Sequence, residues 1–225
     1  MHILIVVATH AEIAPLVAEM GRARDTSLVQ RYQRGPHEVD VLTTGVGMVA
    51  TAARCSRALA MDDYAVAFNF GICGSFDPAF APGRVVHVVS EALPELGAED
   101  GDVFLTAGEL DLPGANQFPF DGGRIRNVTR PINPVLEQLP EVDGITVNTV
   151  HGNQQSIAAI RARCAPHVES MEGAAFLYSC LIRHLPCAEV RAVSNVVERR
   201  NRSVWKVDQA IAALAETALA ILDHA

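Results

Sequence analysis

Two glutamates, an amide and a cluster of arginines occupy positions in this sequence where chemistry could be done. Glu12 follows the apolar run Ile3 to Ala8, and Glu172 lies in the segment Glu169-Ser-Met-Glu-Gly-Ala-Ala175. Asn195 interrupts the apolar run Val190-Arg-Ala-Val-Ser-Asn-Val-Val197, and Gly71-Ile-Cys-Gly-Ser75 follows another run, Ala65 to Phe70. All four features lie at or just beyond the carboxyl ends of expected strands, where open α/β sheets deliver ligand-binding groups. A carboxylate in the first turn of a helix suits a general base or a hydroxyl clamp, and it equally suits a helix dipole with no ligand at all. The Asn195 amide wants several hydrogen bonds, which either a ligand or a turn must supply. Arg199, Arg200, Arg202 and Trp205 crowd together just beyond it; such a cluster can grip a carboxylate bidentately or serve as a solvated charge run.

Other chemistries fit poorly. Gly45-Val-Gly47-Met-Val-Ala50 matches a dinucleotide fingerprint between a strand and a helix, but the next strand ends Phe68-Asn69-Phe70-Gly71 without the acidic residue that would hold a ribose. Close strand–helix packing is the expected reason for those glycines. Ser75 lacks the second glycine of a nucleophile elbow. The eight histidines form no metal-ligand spacing and the five cysteines no CxxC pair, so neither metal nor cofactor is expected, and the odd thiol count suits a reducing cytoplasm. A net charge of −8 leaves no basic face for nucleic acid. The apolar start is too short to span a membrane.

The elements that must position these groups alternate. Ile3 to Ala8 reads as a strand and Ala11 to Met20 as a helix, followed by a strand at Val39 to Thr44, an Ala-rich helix at Val46 to Ala60 and a strand at Ala65 to Phe70. From Asp77 to Asn133, six prolines break the chain into short strands such as Val85 to Ser90. Alternation then returns with a strand at Ile145 to Val150, helices at Gln154 to Ala165 and Glu172 to His184, a strand at Glu189 to Asn195 and an amphipathic helix at Lys206 to Asp223. The pattern implies an α/β fold of one domain over residues 1–225, with both faces of the sheet covered. With 49% hydrophobic and 20% charged residues, a chain of 225 residues can bury one core without crosslinks.

In order and spacing, Met1 to Ala8 with Glu12, Thr44-Gly-Val-Gly47, Asn69-Phe-Gly-Ile-Cys-Gly-Ser75, Glu169-Ser-Met-Glu-Gly173 and Val190-Arg-Ala-Val-Ser-Asn195 resemble the nucleoside phosphorylase and nucleosidase superfamily over nearly the whole chain. The layout looks closest to the methylthioadenosine/S-adenosylhomocysteine nucleosidase branch, where a glutamate after the first strand activates water and a Met-Glu pair holds the ribose. The resemblance implies a three-layer α/β/α fold with a mixed, partly barrel-like central sheet. It also implies a purine nucleoside substrate, water as nucleophile, and a homodimer or larger homo-oligomer. By position the roles fall on Glu12 as base, Met171 and Glu172 at the ribose, Arg191 orienting the water or Glu12, Ser194 orienting Asn195, and Ser75 near the water or ribose. The stretch His151-Gly-Asn-Gln-Gln155 is expected near the base, although it lacks an aromatic residue to stack on it.

The sequence departs from that branch at Asn195, where adenine-cleaving members carry aspartate. A 6-oxopurine leaving in its N7–H form offers a donor at N7 and an acceptor at O6, and one amide can answer both. Two further stretches, Glu95 to Asp102 and Ser194 to Lys206, resemble the futalosine hydrolases, menaquinone-pathway enzymes that release hypoxanthine. Futalosine carries a benzoate at its 5′ end, so Arg199, Arg202 and Trp205 are expected to line that end of the pocket. An adenine-releasing nucleosidase, a phosphate-dependent phosphorylase and a non-catalytic nucleoside sensor are the alternatives.

Overall fold

A computed structural model describes residues 1–26 and 28–225. Strand β1 (His2–Val7) is buried on both sides, which is why its sequence is a continuous β-branched run. Ile3, Ile5 and Val7 face helices α1 (His10–Ala18) and, at the chain's end, the long closing helix, with Ile13, Leu16, Leu214 and Ile221 completing that half of the core. Leu4 and Val6 face the opposite layer. After the antiparallel pair β2 (Gly21–Asp25) and β3 (Gln30–Arg34), strand β4 (His37–Thr43) returns parallel to β1. Helix α2 (Met48–Met61) then covers the second face, and β5 (Val66–Ser75) pairs with the other side of β1.

The sheet beyond β5 closes on itself. Strand β6 (Val85–Ala92) is followed by the β7 (Gly97–Asp100) and β8 (Val103–Thr106) hairpin and by the short β9 (Phe120–Asp121) and β10 (Arg124–Arg126) at the sheet's far end. Strand β11 (Glu141–Thr146) leads through α3 (Gln154–Cys164) to β12 (Val168–Ser170), and α4 (Gly173–Leu181) leads to β13 (Cys187–Val196). Pairing runs β5 to β12, β12 to β11, β11 to β6, β6 to β13 and β13 back to β5, which makes a five-stranded ring attached to the open sheet. Cys73, Val86, Val88, Val142, Val168 and Val193 fill the ring, with a contribution from every strand. Helix α4 joins α2 on one face through Ala174, Phe176, Leu177 and Leu181, and α5 (Val207–Asp223) joins α1 on the other. The expected three-layer architecture with a partly barrel-like mixed sheet is therefore what the chain adopts.

Three expectations shift. The strand expected at Ala65 to Phe70 continues through the glycine-rich segment to Ser75 instead of opening into a loop. It must continue, because Gly71 and Gly74 are where β13 side chains cross it: a carbon added at Gly71 would collide with the Arg191 guanidinium. The strand expected at Ile145 to Val150 lies earlier, at Glu141–Thr146, and its polar first half hides it. Residues beyond Val147 leave the sheet because Asn148 is drawn to the Glu95 carboxylate. The glycines of Gly45-Val-Gly47 are required by backbone angle, not by packing, since both have positive φ and a side chain at Gly47 would meet nothing within 4 Å.

His87 on β6 is buried, and its Nε2 has no hydrogen-bond partner among the described residues. Burial pushes its imidazole down to about 4. An unfolded histidine titrates near 6.5, so below that pH the unfolded chain takes up a proton that the folded chain refuses. The stability this group contributes is complete above pH 6.5 and is lost as pH falls toward 4. In urea titrations the wild type is expected to lose about 2 kcal/mol more than a His87→Leu variant between pH 7 and 4.5; equal losses would exonerate His87.

Candidate active site

The end of β1 and the start of α1 fix Glu12. Its Oε2 accepts from the Thr9 backbone N–H at 2.9 Å and the Thr9 hydroxyl at 2.8 Å, and its Oε1 accepts from Ile72 N–H at 3.2 Å. The Thr9–Glu12 contact is a helix-capping arrangement, so the structural reading of this residue holds. The carboxylate is 8% exposed and opens on a cavity of about 310 Å³. Glu172 stands at the N-terminus of α4 on the same cavity. Its Oε1 accepts from Gly47 N–H at 3.0 Å and its Oε2 from Met171 N–H at 3.3 Å. Gly47 therefore has a second use, since its left-handed φ turns its amide toward Glu172.

Arg191 lies beneath both carboxylates, 1% exposed. Its Nε donates to Glu189 at 2.8 Å, one terminal nitrogen donates to Asn69 Oδ1, and the other is 3.7 Å from Glu172. Burial works against the guanidinium, but Glu189, Glu172 and Glu12 outweigh it and raise its hold on the proton. A further buried carboxyl, Glu91, faces Glu189 across Gly173. Burial and then the neighbouring Glu189 push Glu91 well above the usual carboxylate range, so it keeps its proton. Glu91 Oε1 and Glu189 Oε2 are otherwise without partners among the described residues, and the shared proton accounts for both.

Across the cavity, Asn195 Oδ1 accepts from Ser194 Oγ at 2.8 Å and its Nδ2 donates to Val196 O at 3.0 Å. Ser194 Oγ also approaches Cys73 O at 3.1 Å. These contacts fix which way round the amide lies and leave it one lone pair and one N–H. Glu169, 3% exposed, accepts His151 N–H and meets His151 Nδ1 at 2.6 Å. Burial raises the Glu169 carboxyl, with His151 pulling the other way.

Of the residues singled out from sequence, Glu12, Met171, Glu172, Ser194, Asn195 and Trp205 line this cavity, and Arg191 supports it from below. Ser75 does not line it. Its hydroxyl donates to Asp77 O at 2.8 Å and accepts from Asp77 N–H at 3.2 Å, which closes a turn after β5 and spends its polar capacity there. Arg199 faces a separate hollow with Gly152 to Gln155, and Arg202 packs 5.9 Å from the centre of the Trp205 ring. Arg200, 5.2 Å over Trp205, is the arginine of the cluster that reaches the cavity. Sequence reasoning also misses Glu91 and Glu189, which look like ordinary strand acids, and the His151–Glu169 contact, which joins residues far apart in the chain.

The sequence pattern described as the phosphorylase superfamily matches residues 2–225. A futalosine hydrolase of Thermus thermophilus is 30% identical over 184 residues, which is 80% of this chain and 80% of that protein. A futalosine hydrolase of Streptomyces coelicolor is also 30% identical, over 96% of this chain and 93% of that one. In three dimensions the chain is similar to the 5′-methylthioadenosine/S-adenosylhomocysteine nucleosidase of S. pneumoniae, with a TM-score of 0.80 at 19% identity over 100% of this chain and 99% of that one.

Proposed function

The chain belongs to the phosphorylase superfamily, and from that premise we propose that it hydrolyses the N-glycosidic bond of futalosine, releasing hypoxanthine, in menaquinone biosynthesis. The observation that carries this reading is the fixed Asn195 amide, which keeps one acceptor and one donor for a departing 6-oxopurine. The names of the curated relatives point the same way. The protein works in the cytoplasm as a homo-oligomer.

Cleavage passes through an oxocarbenium-like sugar and leaves electron density on the purine. Glu12, whose orientation is set by three donors, takes the proton of the attacking water. Glu172, oriented by two backbone amides, grips the ribose hydroxyls, and its charge favours the cationic sugar. Arg191 is a positioning residue that keeps the two carboxylates apart and oriented. Asn195 accepts from N7–H with Oδ1 and donates to O6 with Nδ2, contacts that strengthen as the base departs. A phosphate dianion is a poor occupant of the water site, because Glu12 borders it and the nearby Arg191 is engaged by Glu189 and Asn69.

The test is base release in phosphate-free buffer from futalosine and from its adenine-bearing analogue. Hypoxanthine from futalosine is expected. A requirement for phosphate would make the protein a phosphorylase, and binding without release would make it a sensor. At the 5′ end, Arg200 is the cation for the benzoate. Arg200→Ala is therefore expected to raise KM for futalosine about tenfold with kcat nearly unchanged, and to leave inosine, which lacks the benzoate, unaffected. Equal losses on both substrates would assign Arg200 a structural role.

A further inference from the structure

In the sheet register Gly74 pairs with Asn195 on one side and with Glu169 on the other. A side-chain carbon placed at Gly74 would stand 3.4 Å from both Asn195 Nδ2 and Glu169 Cγ. Gly74, with a Val197 methyl packed over it, thus sits between the amide meeting the leaving base and a buried carboxylate. That carboxylate is devoted to one residue: it accepts the His151 backbone N–H at 3.1 and 3.3 Å and faces His151 Nδ1 at 2.6 Å. The Phe76 ring packs against the imidazole from another side, with ring centres 5.9 Å apart and planes at 64°. Both members of the pair line the cavity beside Asn195, yet neither the attack of water nor the grip on the ribose uses them.

The carboxylate decides where the imidazole carries its hydrogen. With Nδ1 facing Glu169, the neutral ring holds its proton there and presents Nε2 as a bare acceptor. Nε2 makes no hydrogen bond within the described residues. On a 6-oxopurine whose N7 and O6 are engaged by Asn195, the next polar atom along the ring edge is N1–H, a donor. Adenine offers an acceptor at the same atom.

We propose, on the basis of the 6-oxopurine reading above, that Glu169 and His151 form a second base-selecting element: Glu169 fixes the tautomer, and His151 Nε2 accepts N1–H and rejects an unprotonated N1. Asn195 then reads one edge of the base and His151 the adjoining one, so discrimination against 6-aminopurines does not rest on a single amide. A purely structural pair, stapling the segment after β11 onto β12, would be indifferent to which atom the ligand carries at position 1.

Calorimetric titration of the full chain with hypoxanthine, 1-methylhypoxanthine and adenine separates these cases. The wild type is expected to bind hypoxanthine roughly 10- to 100-fold more tightly than 1-methylhypoxanthine, the range of an unmet buried hydrogen bond. In His151→Phe the hypoxanthine affinity should fall to the level of the methylated base and the gap should close. Glu169→Gln keeps a partner for the ring but frees its tautomer, so it should narrow the gap without unfolding the chain; this variant decides the matter if His151→Phe does not fold. A gap that survives both substitutions overturns the pair's role alone. A wild type that prefers adenine overturns the 6-oxopurine reading, and the pair's role with it.

Discussion

Glu12→Gln is expected to lower kcat on futalosine about a thousandfold, within the range of a lost general base, while KM moves by only a few fold. The amide keeps the size of the carboxylate and can still accept from Thr9 N–H, so the helix start should lose no more than about 1 kcal/mol. The expectation follows from geometry: the carboxylate is held at both oxygens, faces the cavity, and has Arg191 beneath it as a charge partner. Chromatographic assay of hypoxanthine, with hypoxanthine binding measured alongside, checks it. Activity within tenfold of wild type would move the base elsewhere and leave Glu12 as a helix cap. A variant that binds the base normally but has lost turnover is the outcome that a merely structural Glu12 does not produce.

The second large effect is a change of leaving group. Asn195→Asp replaces an amide that offers one donor and one acceptor by a carboxylate that only accepts. It should still accept from N7–H, but it repels O6, so kcat/KM for futalosine is expected to fall about a hundredfold or more. The adenine-bearing analogue, with an amino group at that position, should gain. The carboxylate also meets Val196 O where Nδ2 now donates, which costs about 1 kcal/mol of stability and calls for a melting curve beside the kinetics. Proportional losses on both substrates would mean that the amide supports the strand end without selecting the base.

The parts of this site that are legible in the amino-acid sequence are those whose residue type conflicts with its surroundings. Glu12 follows an apolar run, Glu172 precedes the small apolar stretch Gly173-Ala-Ala175, and Asn195 breaks an apolar run. Such conflicts cost stability unless a function or a partner answers them, so they stand out. Ser75 misleads because nothing in its type reveals where its hydroxyl turns, and Asp77, two residues on, answers it. The choice among Arg199, Arg200 and Arg202 depends on backbone angles in the segment between β13 and α5, and the three are alike in sequence. The strands that a reading of hydrophobic periodicity overlooks are β2 and β3, with their charged and polar residues, and β12, with three residues, too short to show a period. Glu91 and Glu189 are hidden for a different reason. An acid in a strand reads as solvent-facing, and only closure of the ring puts both inside.

That closure has a further consequence, in time rather than in space. A sheet with free edges can fray strand by strand, exposing one element while the rest stays folded. Here β5 has β1, β12 and β13 along it and β13 is bonded to both β5 and β6, so neither strand carrying Arg191, Asn195 or the Gly71 and Gly74 crossings lies at an edge. Opening any one of them requires the ring to come apart. The Asn195 amide and the Arg191 guanidinium, both on β13, are therefore held in register for as long as the ring stays closed, whatever the helices that carry Glu12 and Glu172 do.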